Sequence, residues 1–104
     1  MEPTKRQKLE AAGWKVGTVA EFLDLSHEEM EMIEIRLSLS KLLKQFRKKQ
    51  ELSQQKLAES INSSQSRVAK MEASDSSVSI DLLIKSLLLL GATREDIATA
   101  ISGH

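Results

Sequence analysis

Between His27 and Gly91 the chain contains neither glycine nor proline. The two residues that most often interrupt regular structure are therefore missing from its central stretch, and every turn there must be made by other side chains. Element boundaries then follow from apolar spacing. Met30, Ile33 and Leu37 recur at helical intervals, as do Leu39, Leu42, Leu43 and Phe46. The residues Ile33, Ile35, Leu37 and Leu39 also alternate with Glu34, Arg36 and Ser38, which is the period of a strand. Good helix formers lie on both sides with no turn signal between them, which favours one long helix over about His27 to Lys49. A short edge strand used for dimer pairing is the rival reading. Ser26 followed by Glu29 is a capping box that opens this segment, with His27 as a solvated helix-start residue. Lys44, Arg47, Lys48 and Lys49 close it, either as cations favoured by the negative end of the helix dipole or as groups able to approach phosphate oxygens.

The next stretch, Leu52 to Glu72, reads as two short helices joined by a tight polar turn. Ser53 can cap the first, in which Leu57 and Ile61 form the buried stripe and the small Ala58 permits close helix approach. Asn62 falls where the chain must reverse, and asparagine accepts a left-handed backbone at a helix end more readily than most residues. Ser64 can cap the second helix, whose inner face is Val68 and Met71. Gln65, Ser66, Arg67 and Lys70 are left on the outer face, where they can meet a major groove.

The order Leu52, Ser53, Gln54, two variable residues, Leu57, Ala58, then Ser64, Gln65, Ser66, Arg67 and a closing Glu72 resembles the helix-turn-helix of the phage-repressor (Xre/Cro) family. The resemblance extends from about Leu39 to Ile101, three fifths of the chain. It implies an all-α, five-helix repressor-like domain over residues 39–104, with an N-terminal helical extension over residues 1–38 that packs on the body or on a second subunit. Asn62 stands where the family usually has glycine, and Ser63 where an aliphatic residue is common. Carried over residue by residue, the resemblance makes Gln54 a phosphate contact and gives Gln65, Ser66, Arg67 and Lys70 base and backbone contacts. Ser64 joins them through its hydroxyl, and Ser76 through the loop after the reading helix. The implied activity is sequence-specific binding of double-stranded DNA by a homodimer, as a transcriptional regulator, most simply a repressor. The alternative is the antitoxin of a type II toxin-antitoxin pair, which represses its own operon and binds a toxin.

Outside these helices the signals are shorter. Thr4 can cap a helix over residues 5–12 that ends at Gly13, Trp14 reads as a packing anchor, and Thr18 with Glu21 forms another capping box. After Glu72, the polar run ASDSSVS is a loop, with Asp75, Ser76 and Ser77 as turn formers. Ser79 or Asp81 then starts a helix through Leu90 that Gly91 stops; its apolar residues wrap nearly the whole circumference, so it needs cover on more than one side. Thr93 caps a last helix with Ile97 and Ile101 inside, followed by a frayed tail from Ser102.

Composition narrows the function. The formal net charge is zero, which argues against nucleic acid until its distribution is considered. Residues 1–40 hold five basic against eight acidic side chains, giving −3, whereas residues 41–79 hold eight against four, giving +4. The basic excess covers the reading helix, with no acidic residue from Ser63 to Lys70, and the acidic excess precedes it, facing away from DNA or toward a basic partner such as a toxin. There is no cysteine, so disulfides and thiolate metal sites are excluded. With histidine only at positions 27 and 104, no glycine-rich phosphate loop and no carboxylate pair marked by spacing, neither an enzyme nor a bound metal or cofactor is expected. No apolar run approaches the roughly 18 residues needed to span a membrane, and the N-terminus lacks the apolar core of a secretory signal. The expected location is cytoplasmic.

Overall fold

The structure, a computed structural model, describes residues 25–103. Among the described residues there are five helices and no strand: α1 (His27–Lys49), α2 (Gln54–Ser60), α3 (Gln65–Glu72), α4 (Ile80–Leu89) and α5 (Arg94–Ile101). The helix expected over residues 5–12, the Trp14 anchor and the Thr18–Glu21 capping box lie outside the described residues. The chain divides into two units, Met1–Glu34 and Ile35–His104, and α2 to α5 all belong to the second.

Helix α1 opens as its sequence indicates. Ser26 Oγ accepts the Glu29 N–H at 3.1 Å while Glu29 Oε1 accepts the Ser26 N–H at 3.0 Å. The strand alternative fails because the alternating apolar residues separate onto different faces of the helix. Leu39 and Leu43 are fully buried, and Ile35, Leu42 and Phe46 pack against the same core. Ile33 and Leu37, expected in the inward stripe, instead stand 45% and 39% exposed. The other helices complete the core through Leu57 and Ala58 of α2, Val68 and Met71 of α3, Leu83 and Leu87 of α4, and Ile97 of α5. Ile101, expected inside, is 41% exposed, because the apolar spacing of α5 continues past the end of the core. Helix α4 is covered along Leu83, Ser86, Leu87 and Leu90, while Leu88 and Leu89 remain open.

Four helices end in the same way. After each of α1 to α4 a residue takes a left-handed backbone: Glu51 (φ 58°), Asn62 (φ 57°), Ser74 (φ 60°) and Gly91 (φ 98°). In each case the following N–H bonds back to the last helical turn: Leu52 to the Arg47 carbonyl, Ser63 to Ala58, Asp75 to Lys70 and Ala92 to Leu87, at 2.8 to 3.1 Å. This pattern satisfies carbonyls that a helix end leaves without partners. It explains how a stretch without glycine turns so sharply. At Glu51 and Ser74 an ordinary side chain accepts a conformation that costs roughly 1–2 kcal/mol, compensated by these closing hydrogen bonds.

Two serines lie in the core. Ser86 Oγ donates to the Leu82 carbonyl at 2.8 Å, whereas Ser40 Oγ has no hydrogen-bond partner. An unpaired buried hydroxyl costs about 1–3 kcal/mol. Ser40→Ala should therefore raise stability by about 1 kcal/mol, seen as a higher urea midpoint at unchanged slope. A lower midpoint would mean that the hydroxyl contributes to the fold after all.

Candidate nucleic-acid interface

Helices α2 and α3 pack directly on each other, and their sequences dictate which sides meet. Leu57, Val68 and Met71 are completely buried and Ala58 is 1% exposed, so the small residue lies in the contact. The reversal between the helices is made by Asn62, with its N–H on the Glu59 carbonyl (3.2 Å) and that of Ser63 on Ala58 (2.8 Å). Each helix then starts on a serine. Ser53 Oγ accepts the Lys56 N–H at 3.0 Å, and Ser64 Oγ accepts the Arg67 N–H at 3.1 Å. With Val68 and Met71 turned inward, Gln65, Ser66, Arg67 and Lys70 are exposed on the other face of α3, with Ser64 exposed at its start.

Gln54 and Gln65, at the first positions of their helices, are connected. Gln65 Nε2 donates to Gln54 Oε1 at 2.9 Å, and Gln54 Nε2 donates to Glu72 Oε1 at 3.2 Å. Glu72 is held in turn by Arg47, whose Nε and Nη2 donate to the two carboxylate oxygens at 2.5 and 3.0 Å. Arg47 Nη1 donates to the Leu52 carbonyl at 2.7 Å. The carboxylate pushes the Arg47 pKa upward through this hydrogen bonding, against the opposing effect of burial. The side chains of Arg47 and Glu72 are only 11% and 4% exposed. Arg47 is therefore a buried structural cation and not, as grouped with Lys44, Lys48 and Lys49, a solvated one. A carboxylate is an acceptor only, so it fixes the Gln54 amide with nitrogen toward Glu72 and oxygen toward Gln65. That orientation in turn fixes Gln65, leaving its Oε1 and one N–H free on the exposed side.

Beyond α3, the loop of residues 73–79 forms the second wall. Ser64, Ser66, Arg67 and Lys70 line an open hollow of about 270 Å³ together with Ser77 and Val78. Ser76, the loop residue assigned to phosphate from the sequence, is exposed in this loop but is not part of the hollow; its neighbour Ser77 is. Asp75 shapes the turn by accepting the Ser77 N–H at 2.8 Å. The hydrogen bonds from Ser77 hold the Asp75 carboxyl below the usual carboxylate range, with smaller help from the charges of Lys70 and Arg36. The surface is thus a row of amide, hydroxyl and cationic donors, suited to an anionic polymer whose edges carry hydrogen-bond acceptors.

Sequence reasoning missed the ion pair beneath this row. Arg47 and Glu72 are separated by another helix and two turns, and nothing in the spacing of either marks them as partners. Among the described residues, no three His, Asp or Glu side chains gather as a metal site, and no helix is long and apolar enough to cross a membrane. No curated protein and no solved structure gives a significant match to the chain. A family model described as helix-turn-helix matches residues 43–100, more than half of the chain. The match covers the end of α1 and all of α2, α3 and α4 with most of α5, so the chain belongs to the Xre/Cro-like helix-turn-helix family of DNA-binding regulatory domains.

Proposed function

We propose that the chain is a transcriptional repressor that binds an inverted-repeat operator as a homodimer, with one copy of α3 in each of two successive major grooves. The observation that carries this reading is the exposed row Gln65, Ser66, Arg67 and Lys70 on a helix whose opposite face is locked in the core. Arg67 suits a guanine edge, and Gln65, with one acceptor and one donor free, suits an adenine edge. Gln54, Lys70 and the hydroxyls of Ser64 and Ser76 would meet the sugar-phosphate backbone, which sets register without reading sequence. The open Leu88 and Leu89 side chains of α4, 47% and 56% exposed, offer apolar surface that a second copy can cover.

Because the chain as a whole is neutral, its attraction to DNA is local and depends on the cations around α3. Affinity for duplex DNA should fall steeply with salt, by a slope of about 0.9 in log K against log salt for each phosphate neutralised. Fluorescence anisotropy at a series of salt concentrations tests this. An affinity that does not change between about 50 and 200 mM salt would contradict it.

A further inference from the structure

Helix α1 begins well before the segment that matches the family, and one side chain from that earlier part reaches the candidate interface. Arg36 Nη1 donates to the backbone carbonyl of Val78, 42 residues further along the chain. Val78 is 2% exposed; it ends the loop that follows α3 and, with Ser77, lines the hollow beside Arg67 and Lys70. The Arg36 charge also lies close enough to help hold the Asp75 carboxyl in its ionised form.

Apart from the Val78 side chain, which is part of the core, the loop has few other ties. Its first turn is fixed by the bond from the Asp75 N–H to the Lys70 carbonyl (3.0 Å), across the left-handed Ser74. Among the described residues its middle is held within itself, by the Ser77 and Val78 N–H groups on Asp75. Ser76 and Ser77 are exposed. What connects the far end to another helix through a polar group is the Arg36 guanidinium.

We propose that Arg36 is a positioning residue for DNA binding: by anchoring the Val78 carbonyl it sets the height of the loop's serines relative to α3. This rests on the DNA-binding reading above. Arg36 acts through the loop and touches no phosphate, so it contributes to affinity without contributing to the salt slope. Lysine keeps the charge and N–H donors on a single nitrogen, and so retains part of the anchor; methionine keeps the stem and loses the donors.

The test uses the full chain as wild type, Arg36→Met and Arg36→Lys, with amide hydrogen exchange in the absence of DNA and anisotropy on a DNA duplex selected with the wild type. The expected result for Arg36→Met is faster exchange in residues 73–79 with α2 and α3 still protected. Affinity should fall about three- to ten-fold, the size of one ordinary hydrogen bond, at an unchanged salt slope, and Arg36→Lys should recover part of both. A slope reduced by about 0.9 would make Arg36 a direct phosphate contact and overturn the proposal. So would unchanged affinity, or a loss of protection throughout α2 and α3, which would make Arg36 a residue of the whole fold. A wild-type chain that selects no duplex would instead remove the DNA-binding reading itself, and the exchange data would still report whether the anchor exists.

Discussion

Replacing Glu72 by alanine should lower the stability of the domain by about 3–5 kcal/mol, because it leaves a buried charge without its partner. Arg47 is 11% exposed and directs two of its donors at the Glu72 carboxylate. After the substitution, among the described residues, the Leu52 carbonyl is the acceptor left to it. The guanidinium does not deprotonate in a protein, so the charge must either stay unpaired in the interior or pull the end of α1 open toward water. At the lower end of a typical total of about 5–15 kcal/mol, this is enough to unfold a substantial share of the chain at physiological temperature. Urea denaturation measures the loss, and a change below about 1 kcal/mol would mean that solvent screens the pair as it does a surface bridge. Replacing both partners with apolar residues of similar volume, Arg47→Met with Glu72→Leu, should recover most of the stability. That double variant would still lack the acceptor that orients Gln54. It therefore separates the contribution of the pair to folding from its contribution to the Gln54–Gln65 arrangement.

Arg67→Ala should leave stability within about 0.5 kcal/mol, as expected for an exposed side chain away from special features. Its backbone N–H, which Ser64 caps, is kept. On DNA the effect should be large and local. Preference at one base pair of each half-site should weaken by about 1–3 kcal/mol, the discrimination of one good bidentate contact. Affinity on sequences already wrong at that position should change much less. Measuring binding to the operator and to its single-base variants checks this. An equal loss on every sequence, with the salt slope reduced by about 0.9, would assign Arg67 to phosphate and not to a base.

Much of this architecture can be read from local chemistry. The bounds of α1, the serine caps at positions 53 and 64, and the left-handed Asn62 all follow from short-range preferences of the residues that stand there, and of the two starts open for α4 the structure takes Ser79. The exposure of Gln65, Ser66, Arg67 and Lys70 follows as well, since Val68 and Met71 leave them no other side of the helix. What was not legible depends on tertiary partners. Glu51 and Ser74 turn left-handed although nothing in their side chains favours it, because the closing hydrogen bonds and the next cap require a reversal there. Arg47 looks like its basic neighbours until α3 brings Glu72 against it. Arg36 reads as one charge among several on α1, and its carbonyl partner carries no side-chain signal at all. Ile33, Leu37 and Ile101 differ in the other direction: their spacing is helical, but Ile33 and Leu37 stand on the side of α1 away from Ile35, Leu39 and Leu43, and Ile101 lies past the end of the core, so all three are exposed.

The most direct test is selection from a random-sequence duplex library by the purified chain, followed by sequencing of the retained fraction. If two copies of α3 read successive major grooves, the retained sequences should share two inverted half-sites centred about 10 base pairs apart. Each half-site should contain a guanine and an adenine that lose their enrichment in Arg67→Ala and Gln65→Ala respectively. A retained fraction with no shared sequence, or one whose shared sequence is unchanged by both substitutions, would contradict the assignment of α3 as the reading helix.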